Sequence, residues 1–264
     1  MKRLKLGTVM ALSATILAGG STLVAGQEVR EVTTNGRIQF EADTESELEV
    51  IPPVTDPDVE IAPEVPGTTG PLSIIKAPTM NFGSQVISNQ DQSYAMIAEM
   101  APLAAGTGEV PYVSFAQVQD VRGTNEGWEL QVSLSDFKSN TQNDTLIGAE
   151  IELVGASVQY EGNNVDNAPV AHANHLKLLP NGAARSVMSA PTGKGAGVSS
   201  IVWGDQAALT AQFTDDDFDA ATDIVENEAI QLSIPGATAK DATTYTSTLT
   251  WELTSTPGEE VSVD

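Results

Sequence analysis

Four stretches of the chain alternate apolar and polar residues with a period of two. In Gly127–Leu134, GWELQVSL, Trp128, Leu130, Val132 and Leu134 share one side, and Glu129, Gln131 and Ser133 share the other. Gly148–Val154 sets Ala149, Ile151 and Leu153 against Glu150 and Glu152, and Ala229–Ile234 is a third such stretch. The longest is Tyr245–Leu253, with Tyr245, Ser247, Leu249, Trp251 and Leu253 opposite Thr246, Thr248, Thr250 and Glu252. Side chains on a strand point alternately to its two faces, so one apolar face predicts antiparallel sheet lying on a core. Several such strands between Leu72 and Pro257, separated by Gly, Asn, Asp and Pro, predict an all-β sandwich or barrel, and a sandwich-like fold is the expectation carried forward. Ala220–Glu228 is expected to form a short helix. The pattern over Ser93–Ala105 fits helix and strand equally. Residues 160–200 (EGNNVDN, LPNGAARS, APTGKGAG) read as a loop-rich excursion, and 258–264 as a flexible tail.

Upstream of the strands the pattern changes twice. Residues 1–26 hold Lys2, Arg3 and Lys5 and no acid, followed by the apolar run from Met10 to Gly26. A basic start, a short apolar stretch and small residues at its end predict a secretory signal, cut near Ala25 or Gly26. The run is too diluted by Gly, Ser and Thr for a membrane span. Residues 27–42 follow, in which Asn35-Gly36 and Arg37–Phe40 predict a turn and a short strand. Between Arg37 and Lys76 stand nine acids and no base, and seven of the fourteen prolines lie from Pro52 to Pro78. Like-charge repulsion and fixed proline φ angles predict an extended, solvated spacer over residues 43–70.

Charge narrows the possible functions. The 264 residues carry 12 Lys+Arg against 36 Asp+Glu, a formal net charge of −24. Loss of the leader removes three of those bases and no acid, leaving about −27 on the exported chain. Such a chain lacks the clustered cations that nucleic acid or anionic lipid requires, so no nucleic-acid partner and no membrane insertion after signal cleavage are expected. With no cysteine there is no disulfide, thiolate metal site, cysteine nucleophile or lipid-modified N-terminal Cys.

Candidate chemistry is sparse. His172 and His175 in AHANH have no HExxH context, and there is no GxSxG elbow. No acidic pair stands out as an acid/base couple, so no catalytic residue and no cofactor is assigned. Asp215, Asp217, Asp219, Asp223 and Glu226 follow the ligand spacing of a calcium loop, but Ala220 occupies the position that needs Gly, and no helix pair flanks it. That makes them a weak metal candidate at best, and a solvated acidic loop the preferred reading.

Trp128-Glu129-Leu130 and Trp251-Glu252-Leu253 repeat one tripeptide in two strands. Here the sequence resembles the WxL family of Gram-positive cell-surface proteins, whose C-terminal domain carries two such motifs. Gly70-Pro71-Leu72-Ser73-Ile74, Pro78 and Phe82-Gly83 resemble the family's domain opening, and Val118–Trp128, with Asp120, Arg122-Gly123 and Gly127, its segment before the first motif. Leu146–Ala149 resembles the stretch after that motif, Thr244–Thr254 the domain's end, and Thr34-Asn35-Gly36 with Phe40 the N-terminal layout. The spacer departs from the family in lacking regular Asp-Pro repeats. The resemblance implies a domain over residues 71–257 that attaches non-covalently to the cell wall, with peptidoglycan as ligand and no enzymatic activity. It implies other WxL-type and membrane-anchored surface proteins as partners. The chain is compatible with non-covalent attachment, having no LPxTG sorting signal and no second hydrophobic segment. An assembly subunit docking on such proteins, with wall binding secondary, is the alternative.

The six motif residues are the candidate binding residues, and two readings of the tryptophans compete. Either the indoles form a surface platform for sugar rings, or they are core. Each Trp shares its strand face with the following Leu, which favours the core and leaves Glu129 and Glu252 on the polar face.

Overall fold

The computed structural model describes residues 35–39 and 49–255. The leader expected over 1–26 and the tail expected over 258–264 lie outside the described residues. Residues 35–39 form no regular element and are exposed, so the strand expected over Arg37–Phe40 is not formed at 37–39, and Phe40 lies outside the described residues. A short period-two signature has no partner pattern of its own, and a strand exists only where another pairs with it.

Beside a single 3-10 turn at Val165–Asn167, the remainder is built from fourteen strands and one α-helix. In chain order they are β1 Leu72–Lys76, β2 Gln92–Ile97, β3 Glu99–Pro102, β4 Glu109–Tyr112, β5 Ser114–Asp120, β6 Trp128–Leu134 and β7 Glu150–Val154. There follow β8 Ser157–Tyr160, β9 Val170–Ala171, β10 His175–Leu178, β11 Arg185–Ala190, β12 Gly197–Trp203, α1 Gln206–Phe213, β13 Glu226–Ile234 and β14 Leu249–Thr254. Three four-stranded antiparallel sheets run in the orders β1-β5-β12-β8, β10-β7-β13-β2 and β14-β6-β11-β9, with β3-β4 as a separate hairpin. This is the all-β, sandwich-like fold the alternation predicts.

The main core draws on all three large sheets. Trp128, Leu130, Val132 and Leu134 of β6 meet Ile151 and Leu153 of β7, Ile201 and Trp203 of β12, and Ile230 and Leu232 of β13. A second core lies on the opposite face of the β1-β5-β12-β8 sheet. There Ile75, Phe115 and Val202, the sequence neighbours of core residues Ile74, Ala116 and Ile201, point the other way. Buried on both faces, β5 reads as a nearly continuous buried run instead of an alternating one.

Of the spacer expected over residues 43–70, residues 43–48 lie outside the described residues, and the second core corrects the part over 49–62. Val50 and Val59 are buried in it, with Val54 and Ile61 packed against them. The backbone of this segment is tied down as well. Ile51 N–H donates to Gln117 Oε1 (3.0 Å) and Gln117 Nε2 to Ile51 O (2.7 Å). Tyr112 Oη accepts from Val54 N–H (2.8 Å) and donates to Val54 O (2.6 Å), and burial pushes its phenol pKa up to about 12. Glu60 N–H and Ala104 N–H complete short pairings with Pro102 O and Asp58 O. Residues 49–62 are therefore a strap over the sheet. Glu49, Asp56, Asp58, Glu60 and Glu64 all stay exposed, so the charge that argues for solvation is solvated, while the valines between the acids bury.

Three further expectations change. The helix forms at Gln206–Phe213, not over Ala220–Glu228: Asp205 caps it by accepting from Ala207 N–H (2.9 Å), while residues from Glu226 onward extend as β13 between β2 and β7. Ser93–Ala105 resolves into strand, β2 and β3, broken at Ala98. The stretch 160–200 is no excursion, because β11 runs between β6 and β9 inside the sheet that bears both motifs. Its sequence, RSVMSA, has a register break between Ser186 and Met188, which blurs the alternation. Among the described residues no helix is long and apolar enough to cross a membrane.

Candidate functional site

The fold places the two tripeptides side by side. Strands β6 and β14 pair antiparallel with Trp251 opposite Val132, Glu252 opposite Gln131, Leu253 opposite Leu130 and Thr254 opposite Glu129. Apolar members of both motifs thus fall on one face of a single sheet, and Glu252 on the other.

The two tryptophans nevertheless occupy different environments. Trp128 is 0% exposed, and its Nε1–H donates to Gly195 O at 3.0 Å. Gly195 has φ +75°, and a Cβ there would lie 2.6 Å from Trp128 Nε1 and 2.4 Å from Ala190 Cβ. The approach is pinned by Arg122, whose guanidinium forks Asp120 (Nε–Oδ1 2.9 Å, Nη2–Oδ2 2.8 Å) and donates to Gly127 O (2.8 Å). The Asp120, Arg122 and Gly127 noted before the first motif are therefore the scaffold that seats Trp128. Glu129, expected on an exposed polar face, is instead buried, because β6 lies between β14 and β11, and Leu130 is fully buried.

Trp251 is only partly buried. Its ring packs on Trp203 (centroids 6.2 Å apart, 53° between planes) and lines an open groove of about 1140 Å³. Trp203, fully buried, donates from Nε1 to His172 Nε2 at 3.0 Å, and the two rings stack. His172 Nδ1 faces Ala173 O, so the neutral tautomer with its proton on Nδ1 satisfies both contacts. Burial lowers the His172 pKa, partly offset by the Ala173 carbonyl. His175 points elsewhere and pairs with Glu152 Oε1 at 2.9 Å across β10 and β7.

The groove runs between the irregular segment 77–87 and the segment 240–249 leading into β14. Its floor is apolar, with Phe137, Leu146, Ile151, Leu232 and Ile234 beside Trp251. One wall is formed by the hydroxyl-bearing residues Thr243, Thr244, Thr246, Ser247 and Thr248. That wall is fixed in place: Asp241 accepts from Asn143 N–H (2.9 Å) and Nδ2 (2.7 Å), and Tyr245 Oη donates to Asn143 O (2.6 Å). These bonds to the ionised form hold the Asp241 pKa below the usual carboxylate range. Val86, Ile87 and Val65 stand at the lip, 88%, 53% and 70% exposed. Lys240 and Asp241 are the two charged residues on the lining, in a chain that carries −24. An apolar floor with an aromatic ring and a hydroxyl wall is suited to the CH faces and polar substituents of a neutral or weakly charged polymer.

The acidic loop is arranged differently. Asp215 Oδ1 accepts from Asp217 N–H (2.9 Å), Asp223 Oδ2 from Asp219 N–H (2.9 Å) and Asp219 Oδ1 from Ala221 N–H (3.0 Å). Glu226 sits at the start of β13. These carboxylates cap their own turns, and among the described residues no three His, Asp or Glu side chains gather to hold a metal ion.

Motif spacing reaches Trp251 but not the groove around it. The 77–87 wall carries no periodic pattern, and nothing in AHANH ties His172 to Trp203. The run of hydroxyls from Thr243 to Thr248 is the one local hint. Compared with known proteins, the chain matches a family model described as WxL domain surface cell wall-binding over residues 27–257. No curated protein and no solved structure matches it.

Proposed function

The chain belongs to the WxL domain surface cell wall-binding family, and on that footing we propose that it is an exported protein held non-covalently on peptidoglycan through the groove over Trp251. The leader 1–26 serves as the export signal, and the protein acts by binding and not by catalysis. The observation that carries the reading is the charge-poor groove itself. A polyacid near an anionic wall is repelled at long range, so adhesion must come from short-range contacts, and here an indole, apolar floor and hydroxyl wall are exposed together. Glycan CH faces stack on Trp251, while the hydroxyl and acetamido groups meet Thr243, Thr244, Ser247 and Thr248. Of the motif residues, Trp128, Leu130 and Leu253 act through the fold, and Trp251 is the one that meets ligand.

Sedimentation of the purified protein with washed Gram-positive walls tests this. Wild type is expected in the pellet and Trp251→Ala in the supernatant; wild type remaining in the supernatant at every salt concentration sinks the proposal. The lip formed by Val65, Val86 and Ile87 favours a second reading, docking on other WxL-type or membrane-anchored surface proteins, because exposed apolar clusters mark protein contacts. Capture by such a protein, but not by bare peptidoglycan, would favour it.

A further inference from the structure

Lys240 is the one cation on the groove lining. Lys76, Arg122, Lys138 and Lys177 each pair with a carboxylate, whereas Lys194 and Arg185, like Lys240, form no such pair among the described residues but lie away from the groove. Lys240 is half-buried on the groove wall, and its Nζ donates to Ser88 O at 2.8 Å. Among the described residues no carboxylate pairs with it. The neighbouring Asp241 is turned to Asn143 and held ionised there. An ammonium has three donors, so a single carbonyl contact leaves two. Taking an ammonium partly out of water is unfavourable unless an anion compensates, and 36 acids offer this chain ample internal partners. Among the described residues none is used at this position.

Resting on the wall-binding reading of the same groove, we propose that Lys240 binds a free carboxylate of the peptidoglycan stem peptide, so that the groove selects the peptide-bearing part of the polymer over its neutral glycan. Trp251 and the hydroxyl wall hold the uncharged portion, and Lys240 fixes its position by a charge-assisted hydrogen bond. Complementarity here is local. The one lining anion is occupied by Asn143, so the site presents a single available positive charge inside a strongly negative molecule.

The test uses the full protein and walls stripped of phosphate-containing polymers. Half of the wall preparation has its carboxylates converted to amides with carbodiimide and ammonia, which keeps the skeleton and removes the charge. Measured at 1 M salt, where the long-range repulsion between the acidic protein and the wall is screened to about 3 Å while a partly buried ion pair is screened much less, wild type is expected to bind the untreated walls about tenfold more tightly than the amidated ones. Lys240→Gln is expected to bind both equally, at the weaker level, and Lys240→Arg to keep the preference. A thermal melt of Lys240→Gln matching wild type establishes that the fold is intact. Equal wild-type binding to both preparations overturns the inference while leaving wall binding standing, as does a Lys240→Gln loss of the same size on amidated walls. Binding that vanishes once the phosphate polymers are removed assigns the anion to phosphate and also overturns it. Failure of wild type to bind any wall, native walls included, is a different result and removes the wall reading itself.

Discussion

Replacing each motif tryptophan by alanine should separate fold from function. Trp128 is fully enclosed, donates to Gly195 O and sits among Leu130, Met188 and Ala190. Truncating a fully buried Trp costs about 3–5 kcal/mol, and the orphaned Gly195 carbonyl adds about 1 kcal/mol or more. For a domain of this size each kcal/mol lowers Tm by about 2–4 °C, so Trp128→Ala should melt about 8–24 °C lower. Trp251 is partly buried and, among the described residues, makes no hydrogen bond through its indole; its core contact is the tilted packing on Trp203. Burying less surface and leaving no carbonyl unpaired, it should cost less, about 2–3.5 kcal/mol and about 4–14 °C. Circular-dichroism melts of both variants measure the stabilities, and wall sedimentation at 10 °C, below both melts, measures binding. Trp128→Ala should retain wall binding at that temperature, and Trp251→Ala should lose it. Equal Tm losses, or binding lost by Trp128→Ala while still folded, would refute the division of roles between the two motifs.

Three other outcomes are expected. Gly195→Ala forces a Cβ against Trp128 Nε1 and Ala190 Cβ at a positive φ, so it should destabilise by about 2–4 kcal/mol, read as a Tm fall without a change in the denaturant m-value. His172 has a folded pKa below its ordinary value, so its contribution is fully present above about pH 6.5 and is lost as pH falls through the folded pKa; Tm should drop over that acid window in wild type and less in His172→Gln, and equal pH slopes would exclude it. Val59→Ala trims a strap residue that is buried in the second core, at a cost of about 2 kcal/mol, and should open residues 49–62 to limited proteolysis before the rest of the chain is cut.

What the sequence discloses follows from how each element is stabilised. Strands with one wet face write their alternation plainly, so β6, β7 and β13 are legible from Trp128, Ile151 and Ile230 and their neighbours. β5 and β12 are not, because Phe115 and Ala116, or Ile201 and Val202, bury on opposite sides and the period disappears. The strap is misread for a related reason. Charge density describes the exposed acids correctly, but four apolar residues spaced among them decide where the backbone lies. The family resemblance singles out Trp128 and Trp251 alike, and alternation favours the core for both. Only the third dimension distinguishes them, since the exposure of Trp251 is set by segments 77–87 and 240–249, distant in sequence and without period.

The net charge of −24 has a testable consequence for adhesion. The repulsion between this molecule and an anionic polymer acts over the screening length, about 30 Å at 0.01 M salt and about 8 Å at 0.15 M. The contacts in the groove act within a few ångströms and are apolar or hydrogen-bonded, apart from Lys240. Raising salt through that range should therefore screen the repulsion first and strengthen wall binding, with association faster and dissociation little changed. A protein held by many ion pairs behaves in the opposite way, its affinity falling steadily with the logarithm of salt, as polycation–polyanion complexes do. Surface plasmon resonance on immobilised wall fragments separates the two. A steady fall in affinity from the lowest salt upward would mean that cations of this chain carry the adhesion, and the groove over Trp251 would lose its claim to be the site.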